Sequence, residues 1–191
     1  MYALALLLAW AAAPFWETRP PAAWTDAELS GFLADSPWAQ LAGPAPGVTI
    51  YLATARPMRE AEAELYRRAR LRQAHLPEVA DLDYADFLRT EGARHIVIAV
   101  PFPDTLALAD AAEYKRMEQE SVLKIGRRTY KMSGHFPPVA ADPRLRMAFP
   151  RDVRAGDKSL YFELYLPGVG GNFKSADFRF KELNYRGRVE Y

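Results

Sequence analysis

The chain has 191 residues, with 25 lysines and arginines against 24 aspartates and glutamates, so its formal net charge is +1 at pH 7. This near balance removes the usual electrostatic basis for binding nucleic acid. The chain contains no cysteine, which excludes a disulfide scaffold, a thiolate metal site and a cysteine nucleophile.

The N-terminal segment has the features of a secretory signal peptide. No charged side chain precedes Glu17, and an apolar run from Ala3 to Trp10 leads into Ala11-Ala12-Ala13, an A-x-A cleavage pattern. A membrane-spanning helix needs about 20 apolar residues, so this run is short for a permanent anchor. We therefore predict a leader at residues 1–13 and an exported protein, periplasmic or extracellular, with no stable membrane span once the leader is removed.

Two features of this segment differ from a standard leader. No lysine or arginine precedes the apolar run, and Pro14 follows the predicted cleavage bond. We predict a start slightly upstream that adds one or two basic residues, which the upstream gene sequence would test. The alternative is a buried N-terminal helix of a cytoplasmic protein, but the run lacks the polar face that such a helix needs.

Residues 14–191 are predicted to form a single α+β domain, because they are enough for one domain and give no sign of two. Thr25 and Glu28 form a capping box that starts a helix, and Ser36-Pro37 ends it. Apolar patterning then predicts strands and helices in mixed order: strands at Val48–Ala55 and His95–Val100, and helices at Pro57–Ala74, Leu82–Thr90 and, capped by Asp104, Thr105–Glu120.

The C-terminal third has the period-two pattern of β-structure. A hairpin with its turn at Gly126-Arg127 is followed by four candidate strands, at Leu145–Phe149, Leu160–Leu166, Ala176–Phe180 and Tyr185–Tyr191. We therefore predict an α+β fold in which an N-terminal capped helix and a mixed α/β segment precede an antiparallel sheet that could be sandwich-like.

The N-terminal part of the predicted domain carries a recognisable signature. Phe15-Trp16-Glu17, Trp24-Thr25 and Ser36-Pro37-Trp38-Ala39 occur in order, and Phe149-Pro150-Arg151 and the Phe178–Gly187 tail follow. In these residues the chain resembles a group of uncharacterised exported bacterial proteins, from which it departs in its weak basic n-region. The resemblance implies export and a single domain over most of the chain. It implies no site residues, because the group has no assigned activity.

The histidines and acidic clusters do not form a predicted metal site. His75, His95 and His135 lack the close partner that a metal-binding pair needs. The acids of Asp81–Asp86 are typical of a helix N-terminus rather than of a calcium loop. No phosphate-binding glycine motif is present either, so we predict neither a metal nor a cofactor.

Aromatic side chains are the first candidate binding residues. Three tryptophans flank the first predicted helix: Trp16, Trp24 and Trp38. Their rings could stack on sugars, or they could anchor the helix onto the sheet, which is the commoner use of tryptophan beside a capped helix.

Basic side chains on the predicted hairpin are the second candidates. Lys124, Arg127 and Arg128, together with Lys131, give the hairpin a basic edge. This edge could contact an anionic polymer or a cell-surface glycan. More often such charges protect an exposed strand edge from aggregation.

These features favour a non-enzymatic binding or assembly domain at the cell envelope or outside the cell. Its partner would be an envelope or extracellular protein or a glycan, and nucleic acid is not expected. The alternative is a hydrolase of an envelope or extracellular polymer that uses a carboxylate pair, with Glu163 and Asp177 as examples of acids that only the fold could bring together.

Overall fold

Helices and strands both occur throughout the part of the chain that the computed structural model describes, residues 13–43, 47–102 and 110–191. The helices are α1 (Phe15–Thr18), α2 (Asp26–Ala34), α3 (Arg56–Arg72), α4 (Leu82–Thr90) and α5 (Ala111–Glu120). The predicted leader lies outside these residues except for Ala13.

The strands are all antiparallel to their neighbours and divide among three sheets. In chain order they are β1 (Ala39–Ala42), β2 (Val48–Leu52), β3 (His95–Pro101), β4 (Val122–Ile125), β5 (Arg128–Lys131), β6 (Gly134–Phe136), β7 (Arg144–Pro150), β8 (Ser159–Tyr165), β9 (Phe173–Arg179), β10 (Asn184–Tyr185) and β11 (Arg188–Val189). Five strands pair in the order β1-β2-β3-β7-β6, four in the order β5-β4-β8-β9, and β10 pairs with β11. The predicted α+β class is confirmed.

The five-stranded sheet lies between helices and the four-stranded sheet. On one face, Ile96 of β3 lies opposite Phe149 of β7, and the Phe149 ring meets Phe162 of β8 with 5.4 Å between centroids. On the other face, Glu62 of α3 reaches Arg146 of β7. Because layers cover both faces, the central strands are buried along nearly their whole length.

Several local predictions agree closely with the structure. The capping box of α2 is present: the Glu28 amide donates to the Thr25 hydroxyl at 3.1 Å, and the Thr25 amide donates to the Glu28 carboxylate at 2.7 Å. Helix α4 has the predicted bounds, and the β4–β5 hairpin turns at Gly126-Arg127. Each of these signals lies within a few consecutive residues.

Other predictions need correction. Strand Leu145–Phe149 does not join the C-terminal strands, since β7 pairs with β3 and β6 in the five-stranded sheet. The predicted last strand, Tyr185–Tyr191, is instead a tight hairpin, because Arg186 (φ 50°) and Gly187 (φ 78°) are left-handed and reverse the chain. Helix α5 begins at Ala111 with Asp110 as its cap; the predicted start at Asp104 and Thr105 lies outside the described residues.

Arg68 of α3 fixes the N-terminal segment to the helical layer. Its guanidinium donates to Glu64 at 2.7 Å, to Asp26 of α2 at 2.6 Å and to the backbone oxygen of Trp24 at 2.8 Å. Glu64 also accepts from Arg67, and this hydrogen bond, followed by the one from Arg68, lowers the pKa of its carboxyl to about 2. Glu64 is therefore ionised at neutral pH.

We expect Glu64→Gln to lower stability at neutral pH and to lose that effect in acid. The folded-state pKa lies below the ordinary 4.5, so the contribution of Glu64 is full above that value and disappears as the pH falls towards 2. Urea unfolding from pH 7 to pH 2.5 measures the difference from wild type. Glu78→Gln, at an exposed position, is the matched control. A difference that does not shrink in acid would contradict the assignment.

Candidate functional site

A cavity of about 600 Å³ lies between α3, α4 and β7, within the range of about 300–1,000 Å³ typical of ligand pockets. We call it the α3–α4 pocket. Its walls include Glu62 and Ala63 of α3, Tyr84 and Leu88 of α4, and Arg146 of β7.

The register of the five-stranded sheet places two arginines beneath this pocket. Arg144 and Arg146 are two residues apart on β7, so their side chains leave the same face of the sheet. Arg146 lies opposite Ala99 of β3, which lies opposite Tyr51 of β2. The small side chain of Ala99 leaves space at the centre of the sheet for the guanidinium group.

Two acids pair with these arginines and form a quartet of Glu62, Asp142, Arg144 and Arg146, in which Asp142 and Arg146 are buried and Glu62 and Arg144 are partly exposed. Arg146 donates to Asp142 and, at 3.3 Å, to each carboxylate oxygen of Glu62. Arg144 donates to Asp142 at 2.6 Å and lies 3.5 Å from Glu62. The formal charges cancel, as buried ion groups require. The hydroxyl of Tyr51 completes the network by donating to Glu62.

The quartet controls the protonation of the groups around it. Burial, followed by the negative charge of Glu62, raises the pKa of both Tyr51 and Tyr84. Burial alone would lower the pKa of Arg146, but Glu62 and Asp142 outweigh this and raise it. Both tyrosines are therefore neutral hydrogen-bond donors at physiological pH, and Arg146 is a permanent cation.

Two buried donor atoms of residues that line the pocket lack a partner among the described residues: the Tyr84 hydroxyl and the Arg146 Nε, neither of which is open to the cavity. Tyr84 is 6% exposed, and the Arg146 side chain is 3% exposed. The Arg146 guanidinium lies 4.2 Å from the centroid of the Tyr84 ring, a cation–π contact that holds the two groups side by side. A buried group left unpaired costs about 1–3 kcal/mol, so two in one wall require an explanation.

The other acids of the pocket already have partners. Glu60 accepts from Arg56 at 2.7 Å and from Tyr185 at 2.8 Å. Burial would raise the pKa of Glu60, but these hydrogen bonds lower it. Asp81 caps α4 by accepting from the Tyr84 amide at 3.0 Å. The carboxylates that line the pocket are thus held by donors of the protein itself.

The predicted tryptophans lie together around Phe32 of α2. The ring centroids of Trp16, Trp24 and Trp38 are 5.4, 5.0 and 5.7 Å from that of Phe32. Trp24 and Trp38 are 2% and 0% exposed, and their indole nitrogens donate to backbone oxygens of Arg19 and Glu190. Only Trp16 of the three is half-buried. This arrangement agrees with tryptophans that anchor the first helix onto the sheet. A sugar-stacking role for Trp16 stays a prediction.

The predicted basic residues lie apart from the tryptophans, on the β4–β5 hairpin. Lys124 pairs with Glu163 at 2.6 Å, and Arg128 pairs with Asp157 at 2.5 Å. Arg127 is exposed in the turn and makes no ion pair within the described part of the chain. Acids of the same surface therefore neutralise two of the three charges, and binding by this edge stays a prediction.

The acids named for a hydrolase lie on the outer face of the four-stranded sheet. Glu163 lies opposite Ser175, and Asp177 lies opposite Tyr161, so the two acids are diagonal neighbours on adjacent strands. Both side chains are 41% exposed, and each lies beside a cation: Lys124 is 2.6 Å from Glu163, and Arg179 is 3.6 Å from Asp177. The fold brings them to one face, where Asp177 also lines a second cavity of about 560 Å³ and has one buried oxygen without a partner among the described residues. A hydrolase role for these acids stays a prediction.

His95 and His135 serve as packing and hydrogen-bonding residues, whereas His75 is exposed. The His95 ring nitrogen lies 3.0 Å from the Glu91 backbone oxygen, and His135 stacks on Tyr114 with 4.9 Å between centroids. Within residues 13–43, 47–102 and 110–191, no three His, Asp or Glu side chains form a group that could hold a metal ion. Over the same residues, no helix has the length and apolar character needed to cross a membrane.

Comparison with known proteins does not assign a function. No protein-family model matches the sequence, and neither a curated protein nor a solved structure shows significant similarity to it. Function is therefore inferred from the chemistry of the pocket.

Proposed function

We propose that this protein is an exported, non-enzymatic binding domain whose ligand site is the α3–α4 pocket. The observation that carries the proposal is the ligand-sized cavity between α3, α4 and β7, which is lined by both charged and apolar side chains.

Binding is favoured over catalysis by the state of the pocket's acids. A glycoside hydrolase needs one protonated carboxyl group as a general acid beside a free carboxylate. In this pocket, arginines hold Glu62 and Asp142, and hydrogen bonds lower the pKa of Glu60. The hydrogen bonds to Glu60 stabilise its ionised form, and those to Glu62 and Asp142 occupy oxygens that a reaction would need.

Export is supported by the sequence. The apolar run with its A-x-A pattern is the first line of support, and the resemblance to exported bacterial proteins is the second. An envelope or extracellular partner follows from export, and a protein or a glycan of the envelope remains the proposed class. Intact mass of the protein recovered from the periplasmic fraction or the medium would test removal of residues 1–13.

Blocking the pocket tests the binding role. Ala63 is exposed on α3 and lines the pocket, so Ala63→Trp places a large ring at its mouth without disturbing the core. The full chain is exported from a bacterial host and titrated with soluble muropeptides from digested cell wall, followed by NMR. We expect a decrease in affinity of at least tenfold.

Ala112→Trp, on the exposed start of α5, is the matched control and should bind as wild type does. Equal binding by Ala63→Trp would exclude the pocket as the site. Cleavage of the muropeptides by the wild-type protein would overturn the non-enzymatic assignment.

A further inference from the structure

Basic side chains collect at one end of the four-stranded sheet. There the turn between β4 and β5 lies beside the start of β8 and the end of β9: Arg128 donates to Asp157 at 2.5 Å, and Ser159 lies opposite Arg179. We call this end the strand-end surface and define it as residues 126–128, 152–159 and 177–182. These residues include six lysines and arginines but only four aspartates and glutamates.

Each acid of the strand-end surface has a cation of the same surface beside it. The four ion pairs have nitrogen–oxygen distances between 2.5 and 3.9 Å. They are Arg128–Asp157, Arg154–Asp152, Arg179–Asp177 and Lys181–Glu182. The acids are therefore neutralised within the surface and leave no negative charge to compensate a further cation.

Two cations of the strand-end surface remain, Arg127 in the turn and Lys158 directly before β8. Both are exposed, and neither forms an ion pair with the described residues. The backbone oxygen of Tyr191, whose ring packs on Phe180, accepts from Arg151 at 2.9 Å and so does not cancel this charge either. The surface therefore carries a surplus of two positive charges that a ligand can reach.

The second cavity, of about 560 Å³, lies on the same surface. The charged part of its lining consists of Lys158, Arg179 and Lys181 together with Asp157 and Asp177. The side chains of Arg179 and Lys181 are 58% and 74% exposed, so a ligand has access to both. An anionic group in this cavity would gain charge-assisted hydrogen bonds, which are stronger than neutral ones.

The cations are spread across the strand ends rather than gathered around one point. The strands lie in the order β5-β4-β8-β9, with Arg127 beyond the end of β4, Lys158 before β8 and Lys181 beyond the end of β9. Adjacent strands are about 4.8 Å apart, so these three positions extend over about 10 Å. A small anion can contact only part of this row, whereas an extended chain with repeated negative groups can follow all of it.

We propose that the strand-end surface binds an acidic polysaccharide whose carboxylates contact Arg127, Lys158 and Lys181 along this row. Beside these charges the cavity presents the Ser159 hydroxyl and the Phe180 ring, a polar and an aromatic group of the kind that orient a bound ligand. Nucleic acid is disfavoured, because the whole chain has a net charge of only +1. This site is separate from the α3–α4 pocket and does not depend on the function proposed for that pocket.

Fluorescence anisotropy of a labelled oligogalacturonate measures binding to the full chain. A neutral malto-oligosaccharide and a single-stranded DNA of similar length are titrated in parallel. We expect oligogalacturonate to bind at least tenfold more tightly than either, and its affinity to fall as added salt screens the charges. Equal binding of the neutral sugar would overturn the inference, and so would equal or tighter binding of the DNA.

Neutralising the two cations without partners tests the surface itself. Arg127→Gln with Lys158→Gln should weaken oligogalacturonate binding at least tenfold at constant melting temperature, because both side chains are exposed and form no described ion pair. Arg70→Gln with Lys115→Gln is the matched control, since it removes the same charge from exposed positions on α3 and α5. An equal loss in this control would show that only the net charge matters, and the assigned surface would be wrong.

The α3–α4 pocket is tested independently of this surface. Ala63→Trp should bind oligogalacturonate as the wild type does. A loss of oligogalacturonate binding in Ala63→Trp would place the polysaccharide at the α3–α4 pocket and overturn the strand-end site. A wild-type protein that binds oligogalacturonate but no muropeptide would contradict the proposed function of the pocket and still support the strand-end site.

Discussion

Replacing Asp142 with alanine is expected to lower the free energy of unfolding by about 3–5 kcal/mol, the usual cost of breaking a buried ion pair by removing one partner. The Asp142 side chain is 4% exposed and accepts hydrogen bonds from both Arg144 and Arg146. Without it, two guanidinium groups share the single carboxylate of Glu62 in a poorly solvated site. Urea unfolding followed by circular dichroism measures the loss.

An exposed ion pair provides the control for this prediction. Asp86 pairs with Arg89 on α4, and the side chains are 63% and 73% exposed. Asp86→Ala should change stability by no more than about 0.5 kcal/mol, because exposed pairs contribute little. Asp142→Asn keeps one acceptor oxygen, so its loss of stability should be smaller than that of Asp142→Ala and larger than that of Asp86→Ala. It takes the place of Asp142→Ala in the measurement if that variant does not fold. A loss below about 1 kcal/mol for Asp142→Ala would show that the quartet is not a structural unit.

Replacing Asp142 and Arg146 together tests whether the fold needs this ion pair. In Asp142→Leu with Arg146→Met, Glu62 keeps Arg144 at 3.5 Å and the Tyr51 hydroxyl, so the charges of the site still cancel. Apolar replacement of a buried pair is often neutral or stabilising. We therefore expect the double variant to be at least about as stable as the wild type. Such a result would show that the fold does not depend on this ion pair.

The parts of the fold that the sequence predicts correctly are those with local signals. The capping box of α2 lies within four residues, and the β4–β5 hairpin depends on Gly126, whose φ of 59° favours glycine. Helix α4 is bounded by the Asp81 cap and by Gly92 just beyond its end. In each case neighbouring residues alone decide the backbone conformation.

The parts that were predicted wrongly depend on distant partners. The alternating pattern of Leu145–Phe149 predicts a strand but not which sheet it joins, and its pairing with β3 crosses more than 40 residues. The short edge strands β1 and β6 were missed. All three residues of Gly134–Phe136 are half-buried, so β6 has no apolar alternation to detect.

The pocket could not be predicted from the sequence, because its residues come from three separate segments: α3, residues 79–88, and the stretch from Asp142 to Arg146. One signal was present. Arg146 lies between Leu145 and Met147 in the otherwise apolar run Leu145–Phe149, so the sequence places a charge at a position that the structure buries. A buried charge needs a partner, and here Glu62 and Asp142 supply it.

Trp38→Ala is expected to cost about 3–5 kcal/mol, the usual loss when a buried aromatic side chain is removed from a core. Trp38 is fully buried, packs on Phe32 and Tyr185, and donates to the Glu190 backbone oxygen at 2.8 Å. The substitution leaves a cavity and removes the contacts through which Trp38 joins the N-terminal segment to the C-terminal tail. Chemical denaturation and the near-ultraviolet circular dichroism of the aromatic cluster measure the effect.

Trp16→Ala separates anchoring from ligand binding at the same cluster. Trp16 is half-buried against Phe15 and Phe32, so we expect a loss of only about 1–2 kcal/mol from the smaller apolar area involved. If the tryptophans anchor α2, Trp16→Ala should bind muropeptides as the wild type does. A loss of binding without a matching loss of stability would instead assign a sugar-stacking role to Trp16. The binding surface would then extend beyond the α3–α4 pocket.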